Sequence, residues 1–563
     1  MKNRIIIYQV FTRLFGNDHT PCVPNGTKEE NGCGSFADFT KKALAEIKAM
    51  GITHIWYTGV IAHATQTDYN AYGIPADHPA IVKGKAGSPY AIKDYYDVDP
   101  DLAVNPEKRN GEFLNLVRRT HDAGLKVIID FVPNHVARQY HSANRPQGVE
   151  DLGENDDTNV AFSSQNNFYY IPGSTFQPGF DLQAGASAPY YESPAKATGN
   201  DNFSPSPSRN DWYETVKLNY GVDYCNGRTI HFTPVPSTWI KMRDILLFWG
   251  SKGVDAFRCD MAEMVPVEFW EWAIPQVKCH YPAIQFIAEV YNPGEYRNYL
   301  QRGHFDYLYD KVGLYDTLRN VVCGYASAKQ ITGCWQSVDD IKDHMLNFLE
   351  NHDEQRLASD FFAGNAEKGK PALIVSACMG RNPFMVYFGQ ELGEHGMDEE
   401  GFSGRDGRTT IFDYWSVDTI RRWRDKGRFS GRLLTAEETS LRDFYTRVLT
   451  LCNKDKALRE GEFYDLMYAN NGSELFHADK CYAFVRRKDK ELLVIIANFC
   501  DTMLHTAVNL PPHLFEFFQI EEKEEVIAQD LLNNNQECIA FNATHPILSD
   551  IPAYGGKILR IRL

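Results

Sequence analysis

Gly253-Val254-Asp255-Ala256-Phe257-Arg258-Cys259-Asp260 reads as a short apolar strand ending on an arginine and an aspartate two residues apart. Residues two apart on a strand point to the same side, so the guanidinium and the carboxylate share one microenvironment. A cation there favours the ionised carboxylate, the form that a nucleophilic aspartate needs. Taken alone, R-x-D at a strand end is more often a structural ion pair. Three further strand-like stretches end in similar chemistry. Lys126 to Phe131 (KVIIDF) leads into Val132-Pro133-Asn134-His135, Gln285 to Ala288 into Glu289, and Asn347 to Leu349 into Glu350-Asn351-His352-Asp353. Apolar runs of this length, separated by amphipathic helical segments, predict βα units and a parallel sheet. In a TIM (β/α)8 barrel the polar residues at the carboxyl ends of the strands build the active site. The expected fold class is therefore α/β.

Working outward, Ile5 to Phe11, Thr53 to Tyr57, Asp306 to Asp310 and Phe384 to Phe388 supply the remaining four strands. Ser35-Phe36-Ala37-Asp38 has the spacing of a capping box and predicts a helix running to about Met50. Asn110 to Ala123, Ser237 to Trp249 and Val267 to Tyr281 are further predicted helices. Gly59 to Val104 reads as one long loop, a length that usually marks function. Residues 136–220 lose all periodicity and read as an irregular domain inserted after strand three. The barrel is expected over 1–135 and 221–458. Residues 459–563 carry short strands to the end of the chain, an all-β C-terminal sandwich.

At 563 residues the chain exceeds one ordinary core. Aromatic residues make up 13%, and rings together with carboxylates suit sugars, which offer apolar ring faces and hydroxyls. A net charge of −16 argues against a nucleic-acid partner. No apolar run approaches the roughly 20 residues of a membrane-spanning helix. The apolar part of Met1 to Tyr8 is too short for a signal peptide. The 12 cysteines show no regular spacing and several sit in apolar segments, as expected of buried thiols in a reducing, cytoplasmic setting.

With these stretches in place, the chain resembles the α-amylase family (glycoside hydrolase family 13). Asp130 to His135 is similar to its D-x-V-x-N-H motif, Arg258-Cys259-Asp260 to R-x-D, Glu289-Val290-Tyr291 to the glutamate motif, and Asn351-His352-Asp353 to N-H-D. Tyr387-Phe388-Gly389-Gln390-Glu391 resembles the eighth-strand Y-x-G-Q-E. The resemblance implies that Asp260 is the nucleophile, Glu289 the general acid/base and Asp353 the carboxylate that binds and distorts the sugar. It implies that Arg258 holds Asp260 ionised, that His135 and His352 bind the sugar beside the scissile bond, and that Tyr90 stacks beneath its ring. A retaining glycosidase needs its two carboxyl groups roughly 5–5.5 Å apart, one ionised and one protonated. Glu289, approached by two other carboxylates, is expected to have its proton affinity raised.

Two departures from the family pattern stand out. Glu263 and Met264 occupy the positions after the nucleophile where many α-amylases carry Lys and His. Val216-Lys217-Leu218-Asn219 resembles the M-P-K-L-N of neopullulanases and cyclomaltodextrinases, although with the first barrel strand at residue 5 their N-terminal dimerisation domain is not expected here. By resemblance Asn134 would be a calcium ligand, but Lys217 stands where a second ligand would be. Calcium is therefore possible and no cofactor is required. The implied activity is hydrolysis of α-1,4, and possibly α-1,6, bonds in maltooligosaccharides or starch-like glucans. A transglycosylase or an α-glucosidase on the same machinery, and a non-catalytic glucan-binding protein, are the alternatives. One or two insert rings, among Phe168, Tyr169, Tyr170, Phe176, Tyr190, Tyr191, Trp212 and Tyr213, are expected to line further sugar subsites.

Overall fold

The computed structural model describes residues 4–181 and 188–563. Residues 1–3 of the expected barrel segment and 182–187 of the expected insert lie outside the described residues. Eight parallel strands close a barrel in chain order: β1 (Ile6–Phe11), β2 (His54–Thr58), β3 (Lys126–Phe131), β4 (Ala256–Cys259), β5 (Gln285–Ala288), β6 (Tyr307–Tyr309), β7 (Met345–Phe348) and β8 (Phe384–Tyr387), which pairs back to β1.

The two-residue strand period sorts side chains between two environments. Ile7, Trp56, Ile128, Ala256, Ile287, Tyr309, Leu346 and Met385, one from each strand, form a separate buried cluster. That cluster fills the barrel interior. Val127, Ile129, Phe257 and Phe286, of the other parity, belong to the larger cluster against the surrounding helices. Fully burying side chains of this size contributes about 1.5–3 kcal/mol each. Two residues beyond the interior layer, with the same inward parity, come Gln9, Thr58, Asp130, Arg258 and Glu289. The strands that form the apolar plug thus deliver the polar residues above it.

The capping box at Ser35–Asp38 forms, but it caps a single 3-10 turn (Phe36–Asp38), and the helix starts afresh at Lys41–Ala49 with Thr40 as N-cap. Phe39 leaves helical geometry to stack on Phe15 with ring centroids 4.5 Å apart, so tertiary packing overrides the local signal. The expected loop 59–104 contains an antiparallel pair, Ile61–His63 with Ile92–Val98. Within 136–220 only short pairings occur among the described residues, including His135–Ala137 with Thr215–Lys217. The C-terminal region holds a six-stranded antiparallel sheet and a two-stranded one, Leu504–Val508 with Ile547–Ile551, plus a helix at Pro512–Phe518. No helix among the described residues is long and apolar enough to cross a membrane.

Candidate active site

Arg258, at the carboxyl end of β4, is fully buried and sits among carboxylates. Its Nη1 donates to Asp260 Oδ1 at 2.7 Å, its Nη2 lies 2.9 Å from Glu289 Oε2, and Asp130 Oδ1 is 3.6 Å away. Its Nε donates to Tyr309 Oη at 3.2 Å, and the rings of Trp56 and Tyr90 flank it at 5.3 and 5.5 Å. The guanidinium is therefore shared between Asp260 and Glu289, where the sequence reading assigns it to Asp260 alone. Burial pushes the Asp260 carboxyl up; Arg258 opposes this, and the neighbouring Glu289 adds to it. The expected net lowering of Asp260 by Arg258 is thus outweighed, because one cation serves several acids in a dry site.

Asp353 follows β7 into the same cleft, and a third of its side chain stays open. Burial of the rest and the charge of Glu289 raise it to about 7. Glu289 Oε2 accepts from the Met261 backbone N–H at 2.8 Å, and its Oε1 accepts from Tyr291 Oη. Met261 takes a positive φ of 44°, which turns its N–H toward Glu289 right after the Asp260 strand end. Burial also raises Asp130 to about 6, opposed by Arg258. Asp130 and Asp353, raised to about 6 and about 7, thus keep protons in the site as pH approaches neutrality.

The histidines are held neutral. His352 is buried and lowered well below its usual value by burial and by Arg258. Gln9 Nε2 donates to its Nδ1 at 2.9 Å, which leaves the proton on Nε2, 2.6 Å from Tyr90 Oη and 3.1 Å from Asp353 Oδ2. The Tyr90 ring stacks on His352 at 5.0 Å. His135 drops to about 3 through burial and the charges of Lys217 and Lys83, and its ring meets Trp212 at 5.2 Å. Asn134 lies beneath it: Nδ2 donates to the Gly199 carbonyl at 2.7 Å, and Oδ1 accepts from Lys217 Nζ at 2.7 Å. A hard cation needs several oxygen ligands, whereas the group facing Asn134 Oδ1 is an ammonium. These residues do not fit calcium.

The structure thus brings Tyr90, His135, Asp260, Glu289 and Asp353 together on the walls of one cleft of about 590 Å³, with Arg258 and His352 buried behind them and Asn134 behind His135. Glu350, in the same sequence run, faces away and pairs with Arg356 at 3.0 Å. Sequence reasoning missed Gln9 and Trp56, whose indole donates to Asp130 at 3.0 Å, and the cleft residues Lys83, Glu214, Lys311, Phe402 and Phe412. Strand parity alone points to Gln9; nothing local marks the others. Of the insert rings, Trp212 lines the cleft, while Phe168, Tyr169, Tyr170 and Phe176 are buried.

A family model described as "Alpha amylase, catalytic domain" matches residues 9–431. Alpha-amylase 3 of Dictyoglomus thermophilum is 25% identical over 66% of this chain and 68% of its own length. Neopullulanase 2 of Thermoactinomyces vulgaris is 21% identical over 88% of this chain and 69% of its own. The chain spans only part of the longer curated relatives that it matches, 45% of one, 30% of another and 12% of a third. Among solved structures, a maltogenic alpha-amylase, AmyB from Thermotoga neapolitana, superposes with a TM-score of 0.62 at 18% identity, covering 99% of each chain.

Proposed function

We propose that this chain, which belongs to the α-amylase family of glycosidases, cleaves α-1,4 glucosidic bonds of maltooligosaccharides with retention at the anomeric carbon. The observation that carries this reading is the buried guanidinium of Arg258 held between Asp260 and Glu289, with Asp353 in the same cleft. Asp260 attacks the anomeric carbon while Glu289 gives its proton to the departing glycosidic oxygen, so the C–O bond breaks as a glycosyl ester forms. Water then displaces the ester. Glu289 takes the proton from that water, and Asp260 leaves as a carboxylate. Arg258 balances the charge that Asp260 loses and regains. Asp353 binds ring hydroxyls, neutral His352 orients Tyr90 and Asp353 from Nε2, and His135 and Tyr90 complete the pocket for one glucose unit. No step needs a metal. A cytoplasmic location belongs to the proposal, supported by twelve cysteines that are all free.

Transglycosylation is a second reading, favoured by one observation. Met261 and Tyr291, which hydrogen-bond Glu289, line the cleft together with Val312, and their apolar atoms there would shelter the ester from water. Incubation with maltoheptaose and with panose, followed by product chromatography, tests both. Shortened products alone mean hydrolysis, and products longer than the substrate mean transfer. Neither substrate being consumed would reject the reading.

A further inference from the structure

Glu263 and Met264 stand where many α-amylases carry Lys and His, and neither lines the cleft; Glu263 Oε2 instead accepts from the Asn292 backbone at 3.1 Å. A cation reaches the cleft from elsewhere. Lys311 follows β6 and lines the cleft with Val312 and Glu354. Its Nζ donates to Asp316 Oδ1 at 2.7 Å and lies 3.2 Å from Glu354 Oε1, 4.9 Å from the Tyr315 ring centroid. An ammonium has three donors. Two carboxylates and the Tyr315 ring hold the group in place, and no third oxygen accepts from it among the described residues.

Barrel order sets the part of the cleft in which this donor stands. Tyr90 follows β2, and His135, Trp212 and Thr215 follow β3, so that side holds the unit that stays on the enzyme. Glu289 follows β5 and must reach the departing oxygen. Lys311 follows β6, which lies between β5, through Ile287 with Tyr307 and Ala288 with Leu308, and β7, through Leu308 with Met345, so it stands between the acid Glu289 and Asp353. We propose that Lys311 binds hydroxyls of the departing glucose unit and sets the preference for sugar leaving groups. This inference rests on the glycosidase reading above.

The test compares kcat/KM of wild type and Lys311→Met on maltotetraose and on 4-nitrophenyl α-maltoside, whose leaving group has no sugar hydroxyls. The expected loss on maltotetraose exceeds that on the aryl maltoside by about tenfold or more, the scale of a hydrogen bond to a charged group. Lys311→Arg should recover part of that difference. If Lys311 only ties down its own helix, both substrates lose equally, which overturns the inference alone. A wild type inactive on both substrates overturns the glycosidase reading with it. Lys311→Gln allows the same comparison if the methionine variant does not fold.

Discussion

Lys217 donates from Nζ to Asn134 Oδ1 at 2.7 Å and lies 2.5 Å from Asp201 Oδ1, so an ammonium holds together the floor beneath His135. Like charges repel a second cation from that position. Chelation by EDTA should therefore leave the melting temperature unchanged. Lys217→Met should lower it, because Asn134 and Asp201 lose their partner in a buried setting, at a cost of about 1–3 kcal/mol. A fall of many degrees on chelation would show that other oxygens complete a metal site.

Two groups of the cleft give pH dependences of opposite sign. Asp353 is raised to about 7 by burial and Glu289. Between its unfolded value, about 3.9, and 7 the folded chain holds the extra proton, so stability falls as pH rises through that window. Asp353→Asn should gain on wild type in melting temperature from pH 4 to pH 7. His135 is lowered to about 3, mainly by burial. Its contribution is present above about 6.5 and is lost as pH falls toward 3, since the unfolded imidazole takes up the proton. A difference between Asp353→Asn and wild type that stays flat over pH 4–7 would contradict the charge arrangement.

Trp212 is the insert ring that reaches the cleft among the described residues, beside His135. It should stack on a second sugar unit, and remote binding of that kind can be used in the transition state. Maltohexaose should then show a higher kcat/KM than maltose. Trp212→Ala should cut the maltohexaose value roughly threefold to tenfold, the scale of an aromatic contact. Equal values for the two substrates in wild type would reject an extended cleft and favour an α-glucosidase.

The barrel was legible because period-two burial and motif carboxylates occur in the same strands. Ala256 faces the apolar plug and Arg258 the carboxylates above it by one rule of alternation. What stayed hidden depends on contacts across the barrel. No local pattern says that Arg258 divides itself between Asp260 and Glu289, because β5 brings Glu289 there from 31 residues away. Gln9 fixing the His352 tautomer spans 343 residues. The cleft walls from Lys83 and Phe412 sit on loops, whose paths follow from packing and not from periodicity. The helix expected from Ser35 begins late, at Lys41, for the same reason, since Phe39 answers to Phe15.

The central claim is that Asp260 forms the glycosyl ester and Glu289 handles the proton. Glu289→Gln cannot activate water, but it can still be glycosylated by a donor whose leaving group needs no proton, such as α-maltosyl fluoride. Intact-protein mass spectrometry of that variant after brief incubation, followed by peptide mapping, tests the claim directly. The account predicts one added maltosyl unit, mapped to Asp260 and absent in Asp260→Asn/Glu289→Gln. An adduct on another residue, or none while the fluoride is turned over with inversion, would contradict it.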